Sequence, residues 1–536
     1  MGTKVNSNYE DLITFTRASK GHALRPVSYG DELVNSGTFD DASALDDWTA
    51  TNANLSINNQ RLEVENSGSS QGTARQSITT EIGKVYEASF DVVKVSGEGN
   101  PIVRLGVSNG GAEYYSTAHS SDATISFIFT PTTTTTFWTL YTGSSTSGFS
   151  AIFDNISVKE VLFDQPDGTL TLFEHPDGVP RVEYDADGNR LGLLVEEQRV
   201  NLALNSNDLA ADWSEQATTA TLTQDAVGPD GKISAWTLVD DNSGGTANTV
   251  GINEIWTFAS GGTYAISIFA KADGLNWIYF SNVLFDGGTD LNYFDLENVA
   301  LGASNPNTCF IEDVGNGWRR CTQVMTTTTD LSGQIVIRVA NSDGDITVDL
   351  DGTSSVQLYG FQVEAGSFPT SYMKNEGTAS GAIRSADVAS IPVADFGYNQ
   401  SAGTVVAEVV DYTSKPTGSN YVVSLDDNTA SNRNQIIRYN NAWIYDVKVS
   451  NVTQVSQNLG TTNDPAKVAF AFKLNDFAAT EDGDAVVTDT SGTVPNVTKM
   501  TIGSAYNNSA QLNGHIKSIK YYPRRLTNAQ LQDLTS

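Results

Sequence analysis

The residues able to do acid–base, nucleophilic or metal chemistry are thinly scattered in this sequence. Its four histidines, His22, His119, His175 and His515, each stand alone. There is no His-x-x-x-His pair, no Gly-x-Ser-x-Gly elbow and no phosphate-binding glycine loop. The carboxylate doublets Asp46-Asp47, Glu196-Glu197 and Asp426-Asp427 are adjacent in sequence, and neighbours on a strand point to opposite faces. A glycosidase needs two carboxyls facing each other about 5–9.5 Å apart, which only distant strands of an all-β protein could assemble. No enzymatic activity is expected. With two cysteines, Cys309 and Cys321, a Cys-based zinc site is excluded. A hairpin turning at Val314–Gly317 would set them opposite each other, within reach of a disulfide. The other reading is two buried thiols, as in a reducing environment.

Recognition chemistry is better represented. Sugars are held by stacking on exposed aromatic faces and by hydrogen bonds from Asn, Asp and Gln. The candidates are Trp138 with Tyr141, Trp277 with Tyr279, and Trp443 with Tyr445. Each pair is expected to share one strand face. The competing reading of each is an aromatic of the core, to which Trp48 and Trp213 are assigned.

The formal net charge is -32 over 536 residues. Such a chain repels nucleic-acid phosphates and anionic membrane surfaces. No stretch approaches the roughly 20 apolar residues of a membrane helix. Met1–Asn8 lacks an apolar core, so no secretion signal is read there and synthesis in a cytoplasm is expected. The acidic residues are spread along the chain, which reads as a solvated, salt-tolerant surface with room for Ca²⁺ at one or two sites.

The elements that must position these residues are short strands. Thr, Ser, Asn, Gly and Asp are abundant, and runs such as Tyr86–Val92 and Gly403–Val410 are strand-like, several of them alternating apolar with polar residues. The chain is too long for one core, and at roughly 100–200 residues per domain it divides into three to five. The expected order is an N-terminal attachment segment (1–30), a first sandwich (31–161), a hairpin-rich connector (162–200), a second sandwich (201–373) and a third body (374–536). The connector carries the turn signals Pro166-Asp167-Gly168, Pro176-Asp177-Gly178 and Asp187-Gly188-Asn189. Asp46-Asp47-Trp48 and Ala211-Asp212-Trp213 open the two sandwiches alike. Thr527-Asn528-Ala529-Gln530 predicts a capping box opening a short C-terminal helix.

Four sets of residues carry resemblances. Asn35–Asp40, Asp47-Trp48 and Phe153–Val158 resemble carbohydrate-binding-module jelly rolls of the family 4/9 type. Leu512–Lys517 and Tyr521–Thr527 resemble concanavalin A-like (laminin G, pentraxin) lectin domains. The phrases Ile13–Ser19, Gly192–Leu202, Gln362–Tyr372 and Arg384–Val388 resemble phrases common in bacteriophage tail and fibre proteins. Together they imply an all-β chain of tandem jelly-roll sandwiches with short connecting hairpins and a C-terminal concanavalin A-like sandwich.

The jelly-roll resemblance implies one structural Ca²⁺ bridging Asp40 and Asp154. The phage resemblance implies a structural component of a virion, a tail fibre or appendage that binds host-surface glycans and other virion proteins. It would be homo-oligomeric, as a trimer, and located on the particle. The alternatives are a capsid-decorating, collar or baseplate protein, or a polysaccharide depolymerase with binding modules.

Overall fold

Alternation of side chains decides the architecture. In Tyr86–Val93 every second residue is buried, and Leu62–Asn66 repeats the pattern. The computed structural model describes residues 13–215, 220–247, 250–285, 289–303, 307–329, 331–411, 418–440, 442–461 and 465–536. The reading of Met1–Asn8, and the first twelve residues of the expected attachment segment, lie outside the described residues. The protein is all-β, with antiparallel sheets packed as sandwiches. Among the described residues no helix is long and apolar enough to cross a membrane.

The chain divides into two compact units. One is Pro26–Thr169. Here Thr49–Thr51, Thr73–Thr79, Thr135–Tyr141, Ile102–Gly106 and Tyr115–Ala118 form a five-stranded sheet in that order. In the facing sheet, Tyr86–Val93 lies between Ala123–Phe129 and Ser150–Phe163. Trp48, Phe90, Trp138 and Phe153 fill the core between them.

The other unit is Met1–Arg25 with Leu170–Ser536. It holds two sandwiches. In the first, two six-stranded sheets enclose Trp213, Ile266, Phe280 and Phe361. The second has two seven-stranded sheets around Val405, Trp443, Tyr445 and Phe470. The expected C-terminal capping box is present: Thr527 and Gln530 cap the helix Asn528–Thr535, and Leu531 is buried beneath it.

Two stretches differ from the sequence reading. Thr14–Thr16, placed in an attachment segment, pairs with Val388–Pro392 at a sheet edge. Arg190–Val195, placed in a connector, pairs with Gly514–Tyr522 of the opposite sheet, and Val182–Tyr184 pairs with Arg190–Val195 in turn as the edge strand. Short apolar strands cannot bury a face alone, so they are stable only as added strands of a sandwich.

These additions bring charges inside. Arg17, Arg181, Arg384, Glu196 and Asp387 all have side chains with no solvent exposure. Arg181 Nη1 lies 2.8 Å from Glu196 and its Nη2 donates to Asp387. Arg17 Nη1 donates to Asp387 at 3.3 Å, and Arg384 lies 3.5 Å from Glu196. Ser371 donates to Glu196 through both its backbone N–H and its hydroxyl, at 2.8 and 2.6 Å. Backbone carbonyls of Ser19, Pro176, Val179, His22 and Glu197 accept further guanidinium hydrogens. Burial alone would raise the Glu196 carboxyl, but the Arg384 and Arg181 guanidiniums and Ser371 hold it well below the usual carboxylate range. Burial, helped by neighbouring Arg181, lowers the Arg17 guanidinium to about 10 against the pull of Asp387.

Removing one partner of such a cluster strands buried charge. Asp387→Ala is expected to cost about 3–5 kcal/mol, read as a lowered urea midpoint. Lys517→Ala, which breaks the exposed pair with Glu408, is expected to cost less than about 1 kcal/mol. Equal losses would show that the cluster is no more important than a surface pair.

Candidate functional site

The outer face of the five-stranded sheet carries the most developed recognition surface in the Pro26–Thr169 unit. In Thr135–Tyr141, Trp138 and Leu140 point into the core, so Phe137, Thr139 and Tyr141 point outward. Thr139 pairs with Arg75 on one side and Arg104 on the other. Directly paired residues share a face, so Arg75, Thr139 and Arg104 form a row across three strands. The outer Arg residues are about 10 Å apart at the strand spacing. Phe137 and Tyr141 flank the row along the central strand, both partly exposed.

The Arg104 guanidinium sits 5.1 Å from the Tyr141 ring centroid and donates to Gly110 O at 3.1 Å. Among the described residues no carboxylate pairs with Arg75 or Arg104. The Nε groups of both are shielded and without a hydrogen-bond partner. Two uncompensated guanidiniums on a chain of net charge -32 make a local positive field flanked by aromatic rings. Such a surface suits a polar, anionic ligand.

The six aromatic candidates separate sharply. Trp138 is fully buried, with Phe90 against it edge-on at 5.9 Å. It does not share a face with Tyr141, because the two are three positions apart, an odd offset, and the strand period is two. Trp277 and Tyr279 do share a face. Tyr279, however, is fully buried and stacks on Tyr293 at 4.9 Å, leaving Trp277 partly exposed at the edge of that cluster. Trp443 and Tyr445 share a face as well, but it is the core face, where Tyr445 stacks on Phe470 at 5.3 Å. A ring with no exposed face cannot stack on a sugar, so Trp138, Tyr279, Trp443 and Tyr445 are corrected to core residues. Tyr141 and Trp277 keep accessible surface.

Sequence reasoning missed Arg75, Arg104 and Phe137. The signal was present in Thr73–Thr79, where alternation places Arg75 on the face opposite Ala74, Gln76 and Ile78. What joins it to Arg104 is the register of a third strand, which the sequence does not print.

Asp40 and Asp154 are both in the Pro26–Thr169 unit. Asp154 stands opposite Asp91 in the strand register, beside a bulge ending at Ser157. Burial raises the Asp154 carboxyl, and the charges of Asp91 and Asp40 add to it while Arg61, 3.9 Å away, opposes them. Asp40 accepts from Thr38 Oγ1 at 2.7 Å, and Asp91 accepts from Thr124 and Asn155. Among the described residues no group of three or more His, Cys, Asp or Glu is arranged to hold a metal ion. The carboxylates are mutually felt but do not form a closed cage.

Cys309 and Cys321 lie on the expected hairpin, but in a register shifted by two. Cys309 pairs with Gln323, and Cys321 with Ile311. Both thiols are free and buried. Burial pushes the Cys309 thiol up to about 12 and raises Cys321 as well. Neither is expected to react with Ellman's reagent in the folded protein. Unfolding without reductant is expected to release two thiols per chain, and a count of zero would show a disulfide.

No protein-family profile matches the chain. No curated protein matches it either. Among solved structures, similarity is found to the CBM40 module of the Ruminococcus gnavus IT-sialidase, at 11% identity over 26% of this chain and 84% of that one, with a TM-score of 0.23. The tandem CBM22 modules of Paenibacillus barcinonensis Xyn10C align at 14% identity over 65% and 99%, with a TM-score of 0.21. Domains LG4-5 of the mouse laminin alpha1 chain align at 8% identity over 51% and 87%, also with a TM-score of 0.21. At these TM-scores none of the similarities bears on function.

Proposed function

We propose that this chain is a structural component of a bacteriophage particle, a tail fibre or comparable appendage, and that it binds an acidic glycan of the host surface. The observation that carries the binding role is the row Arg75–Thr139–Arg104 flanked by Phe137 and Tyr141. The guanidiniums suit the carboxylates of an acidic polysaccharide and the rings suit its apolar faces, while Thr139 between them is fully buried and accepts from Gly110 N. The virion role is supported by the four fibre-like phrases. They supply Arg17, Glu196, Ser371, Arg384 and Asp387 to one buried cluster, which suits a rigid scaffold. Individual glycan sites are weak, and a trimer multiplies them.

The test is retention on immobilised polyuronate against neutral dextran. The native chain is expected to bind the acidic polymer selectively, and less as salt is raised. The double variant Arg75→Ala/Arg104→Ala is expected to lose at least about tenfold in affinity, equivalent to about 1.4 kcal/mol, with its melting temperature unchanged. Undiminished binding by the double variant would remove this face from the reading. Antibody labelling of intact particles at the tail tip supports a fibre. Labelling of the capsid, collar or baseplate supports the alternative virion roles instead.

A Ca²⁺ ion bridging Asp40 and Asp154 belongs to the same proposal, since the Asp40 charge adds to the cost of ionising Asp154 and a cation would relieve it. Millimolar Ca²⁺ is expected to raise the melting temperature, EDTA to reverse it, and Asp154→Asn to abolish the response. A melting temperature indifferent to Ca²⁺ would leave Asp154 to Arg61 alone.

A further inference from the structure

In the C-terminal sandwich one carboxyl is sealed in without a counter-charge. Every residue of the strand Phe477–Glu481 is buried. Phe477 and Ala479 face the core, so alternation turns Glu481 to the same side. Its cross-strand partner Val468 is a core residue as well. Glu481 is 2% exposed, and its Oε2 is shielded with no hydrogen-bond partner among the described residues.

The carboxyl meets Val452–Thr461, the outermost strand of the facing sheet. A β-carbon at Gly460 would stand 3.1 Å from Glu481 Oε1, so the carboxyl rests against bare backbone there. Gly460 lies opposite Trp443, and Gln457 opposite Tyr445. Paired residues share a face, and both aromatics belong to the core. On that face Gln457 Oε1 and Trp443 Nε1 are likewise shielded and unpartnered.

Among the described residues no cation pairs with Glu481. Asp482 and Asp484 follow it in the same turn and repel it. Lys467 precedes Val468, so it points to the other face, and it donates to Ser536 O at 2.6 Å. Lys473 stands at the far end of that strand. Val452–Thr461 carries no ionisable residue, and Val487–Asp489 adds only the negative Asp489. The helix Asn528–Thr535 packs on Ala478, across the sheet from Glu481, and its one ionisable residue is Asp533. Burial raises the Glu481 carboxyl to about 7, and the charges of Asp482 and Asp484 add to it.

A buried carboxyl is tolerable while it holds a proton; once ionised it needs water. The strand hydrogen-bonded on one side only is the element that can give way. We propose that Glu481 is a proton-operated latch: protonated, it closes the core beneath Val452–Thr461, and ionised, it lets residues 457–461 lift and admit water. The other end of the strand stays tied, because Thr493 donates to Gln454 through its N–H and its hydroxyl, at 3.1 and 3.2 Å. The latch is independent of the proposed glycan face and survives its failure.

The closed form keeps its proton up to about pH 7, whereas the opened form loses it near the ordinary value of 4.5. Opening is therefore suppressed in acid, grows as pH rises from 4.5 to 7 and levels off above that. Hydrogen exchange of the full chain, expressed as protection factors so that intrinsic exchange cancels, tests this. Protection of residues 457–461 is expected to fall at least about tenfold from pH 5 to pH 7.5, while Tyr86–Val93 keeps its protection. Glu481→Gln is neutral throughout and is expected to abolish the fall. Should that variant fail to fold, Asp484→Asn removes an exposed repelling charge and is expected to move the fall to lower pH. Protection that stays flat in the native chain, a fall shared by Tyr86–Val93, a fall persisting in folded Glu481→Gln, or one unmoved by Asp484→Asn overturns the latch.

Discussion

The larger unit depends on keeping three guanidiniums and two carboxylates out of water together. Arg17, Arg181, Arg384, Glu196 and Asp387 have no side-chain exposure. Desolvating them is offset by opposite charges at close range and by fixed hydrogen-bond partners from Ser371 and the backbone. The partners come from stretches more than three hundred residues apart, and Ser371 and several backbone carbonyls complete the set. The cluster therefore holds only when the N-terminal strand, the Arg190–Val195 strand and the Val388–Pro392 strand are all in register. It acts as a lock on the geometry more than as a source of net stability.

That lock explains the placement of the fibre-like phrases. They are not exposed motifs that touch a ligand. Glu196, Ser371, Arg384 and Asp387 point inward, and adjacent residues reinforce the same joint. Arg199 bridges to Glu197 at 2.7 Å and lies over Phe368. Asn201 clamps the backbone at Met373 and Val363.

The proposed glycan face arises where positive charge is left without a carboxylate. On an acidic protein, Arg75 and Arg104 have no carboxylate partner among the described residues, and the Arg104 guanidinium rests over the Tyr141 ring instead. An unpaired charge beside rings is an incomplete interaction that a ligand completes.

The sequence by itself determined the class of fold, because alternation in runs such as Tyr86–Val93 admits only strands with one buried face. It determined the C-terminal helix through Thr527 and Gln530, and it excluded the local motifs of catalysis. It did not decide which aromatics were exposed. Trp443 and Tyr445 obey the same period as an exposed pair, and which face of a strand meets a second sheet is a property of packing. Nor did it decide the cysteine register, where a shift of two residues separates Cys309 from Cys321. The row at Arg75 and Arg104, the buried cluster and the approach of Glu481 to Gly460 all join residues from separate strands. Only the tertiary structure fixed them, since strand order and register are set by long-range pairing that local sequence does not encode.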